Sequence, residues 1–191
     1  LSNRLFEVGM RSPPKVNLHE AALPEMSALA FRMMQSIQLA VVSSDQIVVI
    51  ARTESPDDVG FSVRLGHRRS IMKSASGLVL FSFATPLHRE KMLKDLAVGG
   101  AEAAELDALQ GRAEEVRAAG HVSMPSRMVD GVTDIGAPIF DPASGAAVAS
   151  LTVPFVVTRR SKVTVDEAPG MVAEAAMRIS GALGYSPSGA V

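Results

Sequence analysis

The chain has 191 residues, 47% of them hydrophobic and 20% charged, and its 19 basic and 20 acidic side chains give a net charge of −1. That apolar fraction is too high for intrinsic disorder, and the length suffices to bury a core without covalent staples. The balanced charge gives no global sign of a nucleic-acid clamp, and the absence of cysteine excludes disulfides, thiolate nucleophiles and thiolate metal sites.

The segment LSNRLFEVG (1–9) places Leu1, Leu5 and Val8 on one helical face and reads as the middle of a helix, so a fragment of a longer protein is expected. Arg4 and Glu7 interrupt it, which does not suit a secretory leader. Asn17 and Glu20 suggest a reciprocal cap for a helix over 18–34, with Leu23, Met26, Ala30, Met33 and Met34 at helical spacing and Pro24 in its first turns. The period then shifts to two. Residues 36–43 and 46–52 read as strands joined by a turn at Ser44-Asp45, and the strictly alternating FSVRL (61–65) reads as a third. Loops this short require antiparallel pairing.

Residues 66–77 (GHRRSIMKSASG) bring His67, Arg68, Arg69 and Lys73 among glycines and serines. A helix is expected from Ala75 to Ala84. Thr85-Pro86 caps and opens a second one, with Leu87, Lys91, Lys94 and Leu96 on a partly amphipathic surface. A third runs over 102–119 with Leu106, Leu109, Ala113 and Val116 inward, and Gly120 stops it. Residues 132–140 and 146–157 form a hairpin. Thr164 and Glu167 suggest a capping box before a last helix, whose stripe is Val172, Ala175, Ala176, Ile179 and Leu183. The apolar runs near 78–84 and 146–157 are too short to span a bilayer.

Four scattered histidines give no metal-ligand spacing, so neither a metal nor another cofactor is expected. Lys73 beside Ser74 and Ser76 admits a serine–lysine hydrolase, or a loop whose hydroxyls merely cap a helix. Backbone amides at 74–77, with nearby cationic side chains, admit an anion site; the alternative is a solvated arginine pair. Asp134 interrupts an apolar strand, while Ser150 and Thr152 share a face of the next. These residues are either exposed and satisfied or the polar contacts of a pocket.

Residues 60–81, GFSVRLGHRRSIMKSASGLVLF, resemble the small-residue-and-glycine motif of IclR-type bacterial transcriptional regulators. The stretch VRAAGHVSMPSRMVDGVTDIGAPIFDPASGAAVASLTVPF is similar to their second signature, and AAMRISGALGY to their last helix. The resemblance covers nearly the whole chain in order. It implies an α+β, GAF-like fold in which helices pack around a central antiparallel sheet. It assigns residues 1–17 to the end of an interdomain linker helix and connector, 18–185 to an effector-binding domain and 186–191 to a flexible tail.

The implied function is cytoplasmic ligand sensing without catalysis. The effector would be a small carboxylate-containing or aromatic metabolite. Self-association to a dimer or tetramer is implied, and operator DNA would be bound only through an N-terminal winged helix-turn-helix domain missing before Leu1. An oligomerisation module without ligand is the bland alternative. Carried onto this chain, the pocket is lined by Met72, Lys73, Ser74, Ala75, Ser76 and Gly77, by Asp134 and Ile135, and by Ser150 and Thr152, with Met124, Met128 and Val132 closing its mouth. Asp134 departs from the uncharged or thiol side chain common at its position. A carboxylate there disfavours a simple anion pocket and suggests hydroxyl or amine groups on the ligand, or an internal arginine partner.

Overall fold

Asn17 opens the first helix, α1 (Leu18–Met33), by accepting from the His19 N–H at 3.0 Å. The computed structural model describes residues 17–58, 60, 61 and 63–187, so the expected helix at the start of the chain and most of the tail lie outside them. Met34, in the left-handed region at φ 55°, ends α1. Its buried face is Ala21, Ala22, Met26, Leu29, Ala30 and Met33. Leu23 is 36% exposed, against expectation, and Leu29 holds the inward position that the helical repeat leaves for it.

Six antiparallel strands follow in the spatial order β3-β2-β1-β6-β5-β4. They are β1 (Ile37–Ser43), β2 (Gln46–Thr53), β3 (Arg68–Ser70), β4 (Val122–Pro125), β5 (Val132–Phe140) and β6 (Ala147–Val156). The expected third strand over 61–65 is displaced. β3 begins at Arg68 and pairs with β2, Ile47 opposite Arg69. Gly66, at φ 75°, turns the chain, and its N–H bonds Val49 O at 2.8 Å, so pairing with β2 starts only there. The alternation of 61–65 is nevertheless used: Phe61 and Val63 fold over a cavity instead of joining the sheet.

Leu39 pairs with Ala51 but Ala40 pairs with Val49, which makes Ile50 the extra residue of a β-bulge. The bulge resets the alternation of β2. Ile47 and Val49 face one side of the sheet and Ala51 the other, and Ile50 is left partly exposed.

Helices divide between the two faces. On one, α1 and α5 (Ala168–Ala182) pack with Ile37, Leu39, Ile135, Ala137, Leu151, Val153 and Phe155. Of the expected stripe of α5, Val172, Ala175, Ala176 and Ile179 are buried, while Leu183 follows the last residue of the helix and is only half-buried. Thr164 and Glu167 do bond reciprocally, at 2.9 and 3.3 Å, but in the turn just before the helix. On the other face, α2 (Ala75–Ser82) lies against the sheet, covered by α3 (Pro86–Val98) and α4 (Ala103–Ala119). Leu109, Ala113 and Val116 anchor α4, and Met92 and Leu96 anchor α3, while Leu87 is exposed. Every residue of α2 is buried, which is how an eight-residue helix of marginal intrinsic stability is held. No helix among the described residues is long and apolar enough to cross a membrane.

Candidate functional site

Ser70 and Ser74 build the entrance to α2. Ser70 Oγ accepts from Met72 N–H, the single 3-10 turn Ile71–Lys73 follows, and Ser74 Oγ accepts from Gly77 N–H at 3.1 Å. Ser74 O takes the Leu78 N–H. Ala75 and Ser76 are the first two residues of the helix. They sit at the electropositive end of α2, on the wall of a cavity.

The cavity is open at its mouth and small: the space inside it that can take the centre of a water-sized molecule is about 30 Å³. Ile47, Val49, Phe61, Val63, Met128 and Pro154 supply apolar wall. Gln38, His67, Arg69, Ser126, Asp134 and Thr152 supply polar groups, together with Ser74 and Ser76. Ser76 Oγ lies 2.7 Å from Thr152 Oγ1, which lies 3.1 Å from Ser150 Oγ, so three buried hydroxyls form one chain at the back. An apolar enclosure with a few convergent polar groups is the general form of a small-molecule site.

The structure therefore brings together Ser74, Ala75, Ser76, Met128, Asp134 and Thr152 of the residues expected from sequence. Ser150 stands behind Thr152 and reaches the cavity only through that hydroxyl. Ile135 points into the opposite core, because strand neighbours alternate and Asp134 takes the cavity side. Val132 is buried without lining the cavity. Gly77 is a packing residue, since its Cα faces the Ile71 backbone. Met72 and Lys73 line a separate hollow with Arg112 and Arg127, on the far side of the 3-10 turn. The Met124 sulfur accepts from Arg112 Nη2 at 3.2 Å, which holds that side chain toward α4.

His67 and Arg69, of the basic run considered for an anion site, line the cavity, and so does Gln38, which nothing in the sequence singles out. The basic run at 67–69 was the available signal, but side-chain direction depended on where β3 begins. Arg69 is half-buried and its Nη2 donates to Lys73 O at 3.0 Å. Burial lowers its pKa, and the nearby Asp134 charge opposes that. Asp134 is 8% exposed. Burial raises its pKa, against the lowering effects of the Ser126 hydroxyl and the Arg69 charge. No ion pair joins Arg69 to Asp134 among the salt bridges of the described residues. No cluster of three or more His, Asp or Glu among the described residues is placed to hold a metal.

The raised pKa has a consequence for stability. The folded chain holds the Asp134 proton to higher pH than the unfolded chain does, so this group's contribution falls as pH rises from the ordinary value of 3.8 through the raised one. Asp134→Asn is expected to raise the melting temperature near neutral pH by about 2–4 °C, for roughly 1 kcal/mol of relieved burial. The advantage should shrink as the pH is lowered toward the ordinary carboxylate range. Melting curves of both proteins across pH check this; an advantage that grows on acidification would contradict it.

The chain belongs to the family described as bacterial transcriptional regulator IclR C-terminal, whose model matches residues 11–181. It is 27% identical over 188 residues to the HTH-type transcriptional regulator KdgR of Escherichia coli strain K12, covering 97% of this chain and 71% of that protein. It is 26% identical to KdgR of Dickeya chrysanthemi, again over 97% of this chain but 61% of that one. The crystal structure of an IclR homolog from Microbacterium hydrocarbonoxydans, complexed with 4-hydroxybenzoate, superposes with a TM-score of 0.71 at 26% identity, covering 97% of this chain and 76% of its own. The α+β fold expected from sequence is thus the fold of solved IclR-type regulators.

Proposed function

We propose that the chain is the effector-binding domain of a transcriptional regulator, and that the cavity beneath the N-terminus of α2 holds its effector, a small organic acid or related metabolite. The observation that carries this reading is the convergence of the N-terminus of α2, a chain of buried hydroxyls and a cationic side chain on one apolar-walled cavity. The relative crystallised with 4-hydroxybenzoate supports an acid as ligand. The mechanism is linkage: a ligand that binds one arrangement of the cavity better than another shifts the population of states. In the full-length regulator, a cytoplasmic dimer or tetramer, that shift alters operator binding by an N-terminal winged helix-turn-helix domain.

The serine–lysine hydrolase reading has less geometric support. Ser76 Oγ is engaged by Thr152, Ser74 Oγ donates to Ser70 O at 3.2 Å, and Lys73 lines the other hollow. The test is a calorimetric screen of carboxylates, phenolic acids and sugar acids against the wild type, Thr152→Val and Ser76→Ala, followed by operator titration of the full-length protein with the acid found. Thr152→Val is expected to weaken binding about tenfold, because Ser76 and Ser150 lose their shared partner. Binding that leaves operator affinity and assembly unchanged would refute the sensor mechanism.

A further inference from the structure

Arg69 and Asp134 carry opposite charges into one cavity without closing on each other. Two such groups, left apart inside a half-dry enclosure, each keep bonding capacity that the protein does not use. Arg69 spends one N–H on Lys73 O and retains the rest of its guanidinium fork. His67 adds a second unused group: it lines the same cavity, and its Nε2 is buried with no hydrogen-bond partner among the described residues. Buried polar atoms in native proteins are nearly always paired, so an orphan on a cavity wall points to something that enters the cavity. Asp134 is acceptor-only when ionised, and it faces the same space.

We propose that the cavity is a two-ended receptor for a small hydroxy acid, in which Arg69 and His67 hold the carboxylate and Asp134 accepts a hydrogen bond from the hydroxyl. This rests on the effector-site reading above and narrows it. A simple carboxylate leaves Asp134 buried with the Ser126 hydroxyl as its partner and the rest of its accepting capacity unused, and its own charge is repelled by Asp134. A hydroxyl placed between them converts that penalty into a charge-assisted hydrogen bond. His67, Arg69 and Asp134 are therefore specificity-determining residues.

The experiment is calorimetry on the intact chain with matched acids: lactate against propionate and pyruvate, and 3-hydroxybutyrate against butyrate, with alanine as the ammonium analogue of lactate. At least one hydroxy acid is expected to bind about tenfold or more tightly than its partner lacking the hydroxyl. Asp134→Asn should bring the members of that pair within about threefold of each other. Arg69→Gln should weaken both by about tenfold while preserving their ratio, and His67→Phe should do the same to a smaller degree. Equal binding of matched acids by the wild type, undiminished discrimination in Asp134→Asn, or tighter binding of alanine than lactate would each overturn the proposal while leaving an acid-binding effector site standing. No binding by any acid of the series would overturn this proposal, and the wider screen of phenolic and sugar acids would then decide the effector-site reading alone. Asp134→Asn is expected to fold, since it is predicted to be the more stable chain.

Discussion

Gly77→Ala is expected to lower the melting temperature by at least 6–12 °C, for a loss of roughly 3 kcal/mol or more. A Cβ at this position would lie 2.3 Å from Ile71 O, 2.5 Å from Ile71 Cα and 2.7 Å from Ile71 C. These are backbone atoms, and no rotamer change relieves the overlap. The whole of α2 would have to lift from the 3-10 turn that precedes it. The intrinsic preference of helices for alanine over glycine, about 1 kcal/mol, is too small to offset that. Gly111→Ala is the matched control. It lies within α4 with nothing inside 4 Å of the added carbon, and it should stabilise the chain by about 0.5–1 kcal/mol. Thermal and urea denaturation of the two variants decide the matter, and a Gly77→Ala protein as stable as wild type would show that α2 does not need so close an approach.

Gln35→Leu should cost about 2–3 kcal/mol, although it replaces a polar residue with an apolar one inside the protein. Gln35 is 3% exposed, and its amide treats Val156 as a strand partner would. Nε2 donates to Val156 O at 2.8 Å, and Oε1 accepts from Val156 N–H at 3.0 Å. The side chain thus closes the end of β6 just before β1 begins. Leucine would fill the space and leave both Val156 backbone groups without their partners. Accelerated hydrogen exchange at the Val156 amide, beyond what global destabilisation accounts for, is the specific sign of this loss.

Element type was legible where the sequence carried a period and a stop signal. The caps at Asn17 and Thr85 and the stop at Gly120 stand where the residues predict, because each rests on local chemistry, although Asn17 bonds the His19 N–H without the reciprocal bond expected from Glu20. The displaced third strand failed for a tertiary reason. Alternation in 61–65 records burial of Phe61 and Val63, and burial alone does not say whether a sheet or a cavity receives the side chain. The bulge at Ile50 is equally silent in sequence, yet it decides that Ile47 and Val49 face the cavity. Ser74, Ser76, Asp134 and Thr152 could be singled out because polar residues in apolar surroundings are conspicuous. Arg69 and His67 could not be separated from a solvated basic run until the edge of β2 fixed which side chains turn inward.

Residues proposed for recognition alternate with core residues along the same two strands. Along β5 and β6, Asp134, Thr152 and Pro154 look into the cavity, while Ile135, Leu151, Val153 and Phe155 are sealed beneath α1 and α5. A saturation library over these positions should therefore separate by parity. Survival at Ile135, Leu151, Val153 and Phe155 should track residue volume and apolarity, whereas survival at Asp134 and Thr152 should track polarity and hydrogen bonding to Ser76, Ser126 and Ser150. New ligand preferences could then be installed in this chain one alternate residue at a time, without renegotiating the core that keeps it folded.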